Sequence, residues 1–171
     1  RNAYGEAWST AADPFLSTPP SGAFSTSLNV KTYDTTSGDS FLNPIFNLLN
    51  VVPSGTGIFT GEALNYPNWS ALQNILPGTL TQGDHYSVSW EGVMIIGPDD
   101  LGTWTLGTRS DDGSVWFIDR NLDGDYIDPG ELVVNNLGAH GCQSVVGEVT
   151  FTQAGCYPMV FAFYENGGGE C

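Results

Sequence analysis

The sequence predicts an all-β domain, an antiparallel sandwich or barrel. Three observations lead there. From His85 onward, short stretches alternate apolar and polar residues at period two; in HYSVSWEGVMII, Tyr86, Val88 and Trp90 share one face. These stretches recur at regular spacing with Gly- and Asp-rich turns between them, as expected of a sandwich or barrel. No coiled-coil heptad and no internal repeat offers a competing architecture.

Taken in order, residues 1–27 are rich in Ser, Thr, Ala and Pro and read as an extended arm or linker. From Leu28 the chain alternates, with Leu28, Val30 and Tyr33 against Asn29 and Lys31, and stops at the turn region Asp34–Gly38. Residues 39–80 are less regular. PIFNLLNVV and NWSALQNIL are apolar but flanked by Pro and Gly, and the second fits a short helix capped by Asn68 or Ser70. After HYSVSWEGVMII, Gly97-Pro98-Asp99-Asp100 is a turn. LGTWTLGTRS alternates through Trp104 and Leu106, SVWFID reads as a buried strand, and ELVVNNLG as another. QSVVGEVTF and CYPMVFAFYE are expected to form a hairpin around Thr152-Gln153-Ala154-Gly155.

A chain of 171 residues with 40% hydrophobic and 12% aromatic residues can bury one real core. No apolar run approaches the ~20 residues of a membrane span, so no membrane insertion is expected. Four Lys plus Arg stand against nineteen Asp plus Glu, a net charge of −15. Such a surface repels nucleic acid and attracts hard cations. Solubility alone is the alternative reading, and a halophile surface a third, though only 13% of residues are charged. The acids are clustered: seven of the nineteen lie between Asp111 and Glu131. Three cysteines, many Gly, Ser and Thr and few Lys point to an extracellular or cell-surface location. Arg1 at the start fits a processed chain, from a removed signal peptide or a trimmed expression product. Asn68-Trp69-Ser70 is a permitted glycosylation site.

Chemistry concentrates in RSDDGSVWFIDRNLDGDYIDPGE, Arg109 to Glu131. Neighbouring side chains on a regular strand point to opposite faces, so Asp111 and Asp112 can grip one cation only across a distorted backbone. A tight turn or a cis peptide bond would supply the distortion, and Gly113 the freedom for it. An ordinary Asp-Asp-Gly turn is the other reading of the tripeptide.

The order of features is more specific: a Trp-Glu-Gly strand, Gly-Thr-Trp-Thr-Leu, Asp-Asp-Gly, an aromatic strand, Leu-Val-Val-Asn, Gly-Ala-His-Gly, an Ala-Gly turn, Tyr-Pro-Met and Glu-Asn-Gly-Gly. This series resembles the PA-fourteen domain family, named for the bacterial protective antigen, and the related fibro-slime type. The resemblance runs from about Leu28 to Glu170 and is densest after Tyr86. It implies a PA-fourteen-type β-sandwich over 28–171 that often binds carbohydrate. In adhesin members of the family, the aspartate pair is cis and holds a calcium ion, which in turn holds two sugar hydroxyls. The matching positions here are Asp111, Asp112 and Asn166, with backbone carbonyls from Gly167, Gly168 and Gly169. The glycine loop departs from the yeast lectins in lacking bulky residues.

Asp119-x-Asn121-x-Asp123-Gly124-Asp125 follows the first half of an EF-hand loop, where positions 1, 3 and 5 converge and glycine permits the turn. Position 12 is Gly130, and Glu131 falls one residue late. Asp128 or a bulged loop could complete the shell. The expectation is a second, bare calcium loop at 119–131, an insertion relative to the family pattern; a solvated acidic turn is the alternative.

The expected hairpin sets a register in which Cys142 faces Glu165 or Asn166, within reach of Cys171 through three glycines. Cys142 and Cys156 would lie tens of ångströms apart at ~3.3 Å per residue. A Cys142–Cys171 disulfide is therefore expected, with Cys156 left as a free thiol or an intermolecular partner. The family adds one more strand after the glycine loop. Its absence here would leave an edge open to a neighbour's Ala23–Leu28 segment, giving head-to-tail fibres of identical subunits.

His85 and His140 are the only histidines, and neither sits in a nucleophile motif or a zinc-like spacing. No catalysis is expected. The leading expectation is calcium-dependent adhesion to glycans, with Trp69 and Trp116 as candidate stacking surfaces and core packing the leading role for Trp116. The alternative is a structural subunit of an extracellular filament.

Overall fold

The computed structural model describes residues 27–34, 52–60, 64–66, 68–74, 80–81, 83–169 and 171. Eight strands appear among these: β1 (Leu28–Asp34), β2 (Gly55–Phe59), β3 (Tyr86–Ile96), β4 (Gly102–Ser110), β5 (Ser114–Ile118), β6 (Leu132–Asn136), β7 (Gln143–Phe151) and β8 (Gly155–Glu165). One short helix, α1 (Trp69–Gln73), starts where Asn68 caps it, its Oδ1 accepting from the Ala71 amide at 2.9 Å. The Asn of the glycosylation motif is thus the helix cap. Six strands form one sheet in the order β2-β1-β3-β8-β5-β6, and β4 with β7 forms a second. Every pairing is antiparallel.

β3 and β8 are the longest strands and sit mid-sheet, paired from Tyr86↔Glu165 to Ile96↔Gly155. A central strand covered on both faces should be apolar throughout rather than alternating, and β8 is. Tyr157, Met159, Phe161 and Phe163 join the main core between the sheets; Val160, Ala162 and Tyr164 join a second cluster on the other face. Tyr33, Val115 and Phe117 complete that cluster, with Tyr126 packed edge-on against Phe117 at 6.0 Å. On β4 the predicted alternation holds: Trp104, Leu106 and Ser110 turn inward while Thr103, Thr105 and Arg109 face out.

The expected β7–β8 hairpin does not form. β7 pairs with β4, and β8 pairs with β3 and β5, so Thr152–Ala154 is a corner between sheets. The cause is the burial just described: both faces of β8 are apolar and need a six-stranded sheet around them, whereas β7 is half exposed. The Cys142–Cys171 disulfide forms nonetheless, with Cα atoms 5.9 Å apart, because both cysteines arrive at the same end of the sandwich. Cys156 is buried and free of disulfide bonding.

Residues 1–26 lie outside the described residues, and so does most of PIFNLLNVV. The arm of the fibre expectation therefore falls there, except that Leu28 is committed to β1 opposite Phe59. β2 was not apparent in the sequence, because Thr56 and Ile58 face solvent and the inward positions are Gly55, Gly57 and Phe59.

The two sheets nearly touch where β7 meets β6. A Cβ at Gly147 would lie 1.7 Å from the Val133 carbonyl oxygen. Backbone cannot yield as a side-chain tip can. Gly147→Ala should therefore cost about 2–3 kcal/mol and lower the thermal midpoint, whereas Gly141→Ala, with nothing within 4 Å of the added carbon, should leave it unchanged.

Candidate metal centres

Oxygen donors gather at the two ends of β5. At the first end, β4 leaves the two-stranded sheet and the chain enters β5 of the six-stranded sheet through Asp111-Asp112-Gly113 alone. The Asp111–Asp112 peptide bond is cis, one of the two distortions the sequence called for. Gly113 is required: a Cβ there would stand 2.1 Å from the Tyr164 ring. Its carbonyl accepts from the Tyr164 amide at 2.9 Å.

Beneath the crossing lies a polar network. Ser110 and Ser114 share a hydroxyl bond of 2.8 Å, Asn136 Nδ2 donates to Ser110 Oγ at 3.0 Å, and Gln143 Nε2 donates to Asn136 Oδ1 at 2.9 Å. Asp112 is buried, and both of its oxygens are used. Oδ1 accepts from the His140 amide and Oδ2 from the Asn166 amide, each at 2.8 Å. His140 itself bonds within its loop, through ring contacts to the Gly141 and Asn136 carbonyls.

The carboxylate of Asp112 thus holds Asn166 in place. The Asn166 Oδ1 is buried and has no hydrogen-bond partner. Asp111 lines a cleft of about 90 Å³ together with Asn65, Tyr66, Asn68, Trp90 and Arg109. Gly167 and Gly168 are exposed at φ +142° and +124°, a region suited to glycine. Sequence reasoning missed Asp84, whose Oδ1 accepts from the Gly168 amide at 3.4 Å. Only the pairing of Tyr86 with Glu165 brings it there, and no local pattern announces that pairing. The candidate ligands Asp111, Asp112 and Asn166 offer oxygen donors only, one of them an orphaned amide oxygen, which suits a hard cation, although the Arg109 side chain lines the same cleft as Asp111.

At the second end, Asp119 and Glu131 flank the β5–β6 loop and are 2% and 1% exposed, although acids are almost never fully buried unless paired. Asp119 Oδ2 accepts from the Gly124 amide at 3.0 Å, while Oδ1 is buried without a partner. Glu131 accepts from the Arg120 and Asp128 amides, both at 3.1 Å. Glu131 enters despite its late position because the ladder shifts register between Trp116 and Phe117. A one-residue shift turns every later residue to the opposite face.

Carboxylate oxygens of Asp119, Asp123 and Glu131 lie within 4.8 Å of one another, and those of Asp123, Asp125 and Asp128 do likewise. Asn121, expected as a ligand, instead cross-links the loop. Its Nδ2 donates to Asp123 at 2.9 Å and Asp128 at 2.6 Å, and its Oδ1 accepts from the Asp123 amide. Burial raises the Asp119 and Glu131 carboxyls above their ordinary range, and neighbouring carboxylates push the same way. Lys31–Glu91 is the one ion pair among the described residues, so no basic side chain neutralises either acid. The cluster could hold a metal ion.

Neither tryptophan proposed for sugar stacking is a free platform. Trp69 packs on Tyr86 at 5.1 Å and Trp116 on Phe161 at 6.1 Å, both against the core.

No protein-family model and no curated protein matches the chain. Solved structures do. The PA14 domain of the antifreeze protein MpAFP superposes with a TM-score of 0.54 at 17% identity, over 90% of this chain and 81% of that one. An anti-sigma factor domain-containing protein gives 0.53 at 16% identity, over 84% of this chain and 40% of its own. The GH31 α-xylosidase from Xanthomonas citri gives 0.50 at 12% identity, over 84% of this chain and 13% of its own. At these identities the likeness shows a shared fold: the all-β architecture is that of a PA14 domain. The chain spans well under half of the second and third proteins.

Two acids with raised folded-state pKa values destabilise the metal-free fold above those values, and the penalty is relieved as protons bind. In chelator, the melting temperature should therefore rise as pH falls from neutral toward the ordinary carboxylate range. Glu131→Gln should remove part of that rise. Calorimetric scans across this range check both, and an equal rise in Glu131→Gln would assign it to other groups.

Proposed function

We propose that the chain is an extracellular adhesion module that binds carbohydrate through a calcium ion held by Asp111, Asp112 and Asn166. The observation that carries this reading is the buried, unpartnered Oδ1 of Asn166, fixed beside Asp112 by the Asn166 amide. An amide oxygen left without a donor costs about 1–3 kcal/mol, and a cation satisfies it. Calcium takes 6–8 oxygens and accepts hydroxyls among them, so a sugar diol can complete the shell. Two features support this reading: the exposed residues Gly167–Gly169 directly follow Asn166, and Asp111 lines a cleft.

The PA14-type fold supports a binding role rather than catalysis. A disulfide fits an oxidising, extracytoplasmic setting. No helix among the described residues is long and apolar enough to cross a membrane.

A glycan array in calcium and in chelator tests the reading. Binding should vanish with chelator, and Asn166→Ala should weaken calcium binding at this end by at least about tenfold while keeping the backbone amide that Asp112 holds. Glycan binding that survives both would overturn it. A filament role has one observation in its favour: in the two-stranded sheet, β4 pairs only with β7 among the described residues. An outer edge of that kind accepts a strand from a neighbour. Polymers that form with the full chain, but not after removal of residues 1–27, would establish that second role.

A further inference from the structure

We infer that the β5–β6 loop is a structural calcium site built from Asp119, Asp123 and Glu131, separate from the proposed ligand site. A group of acids alone would not carry this. The deciding observation is Asp119, which is 2% exposed, contributes a carboxylate oxygen to the cluster, and has its buried Oδ1 without a hydrogen-bond partner. Its other oxygen accepts from the Gly124 amide, which leaves Oδ1 as the unmet acceptor. Glu131 is equally buried, with each oxygen taking one amide and keeping lone pairs. The adjacent basic residue is directed elsewhere: Arg120 Nη2 donates to the Thr150 carbonyl at 3.4 Å. Buried acids without a counter-charge either take up protons or pair with a cation, and at neutral pH a cation lets them stay ionised.

The chemistry selects the ion. No His or Cys contributes to the cluster, and every donor is a carboxylate oxygen. A hard divalent cation follows, and the irregular loop favours calcium over magnesium, which demands near-ideal octahedral geometry and dehydrates reluctantly. Leu122 at φ +61° and Gly124 at φ +94° turn the loop so that Asp123 faces Asp119.

The site's place in the fold defines its role. The five residues of β5, at about 3.3 Å each, separate it from Asp112 by about 17 Å or more. A ligand held by the first site cannot touch this ion. The ion instead ties β5 to β6 and fixes the loop whose Tyr126 covers Phe117 on the outer face of the large sheet. The inference stands independently of the carbohydrate reading.

Calcium titration calorimetry on the full chain tests it, with Asp123→Ala, Asp119→Asn and Asn166→Ala beside the unaltered protein. Asp123 is exposed, so its truncation should leave the fold intact. The expected result is loss of one calcium equivalent in both loop variants, with the remaining equivalent lost in Asn166→Ala. Calcium at a hundredfold excess over its dissociation constant should raise the melting temperature by about 5–10 °C, and Asp123→Ala should abolish the loop's share. Magnesium should not substitute at equal concentration. Unaltered stoichiometry and affinity in Asp123→Ala and Asp119→Asn would overturn the inference. A single equivalent lost only in Asn166→Ala would also overturn it while sustaining the ligand site. A single equivalent lost only in the loop variants would do the reverse.

Discussion

The carboxylate of Asp112 holds one end of this sandwich together. It accepts one amide from the β6–β7 connection and another from the segment after β8, while its own backbone carries the chain from one sheet to the other. Three segments far apart in sequence therefore meet on one buried side chain. A buried carboxylate with two charge-assisted bonds is stable there, and truncating it would leave two amides unsatisfied. The Cys142–Cys171 bridge closes the same end covalently. Gly113 makes the crossing sterically possible by giving way to Tyr164.

The opposite end is organised differently. There the sheet ends in a loop whose acids are gathered by backbone amides rather than by basic side chains. Asp119 and Glu131 each spend part of their capacity on amides of the loop itself, which shapes it before any ion arrives. The proposed ligand site and the proposed calcium loop thus lie at opposite ends of one strand, β5. With one free carboxylate oxygen buried at one pole and one free amide oxygen at the other, both poles are built around unmet oxygen lone pairs.

Much of the fold was legible locally. Alternating or continuously apolar runs located β1 and β3 to β8, because one-sided or two-sided burial imposes itself residue by residue. The cap at Asn68 was legible for the same reason: an N-cap bond spans three residues. The partners of β7 and β8 were not legible. A short corner at Thr152–Ala154 looks like a hairpin turn whether the next strand joins the same sheet or the facing one. The disulfide expectation reached the right pair from the wrong pairing, since either arrangement returns both cysteines to one end.

The sequence by itself determined most of the strand content and the two acidic stretches, since these rest on composition and short-range spacing. Tertiary structure alone decided that Asp112 faces amides of two distant loops, that Asp84 joins the glycine loop, and that Asn121 braces acids it was expected to join. It also brought Glu131 into the acidic loop, next to a register shift at the loop end of the β5–β6 ladder. Each of these depends on which strand lies beside which, and in what register. That is settled by burying both faces of β8 at once, a property of the whole core that no window of sequence contains.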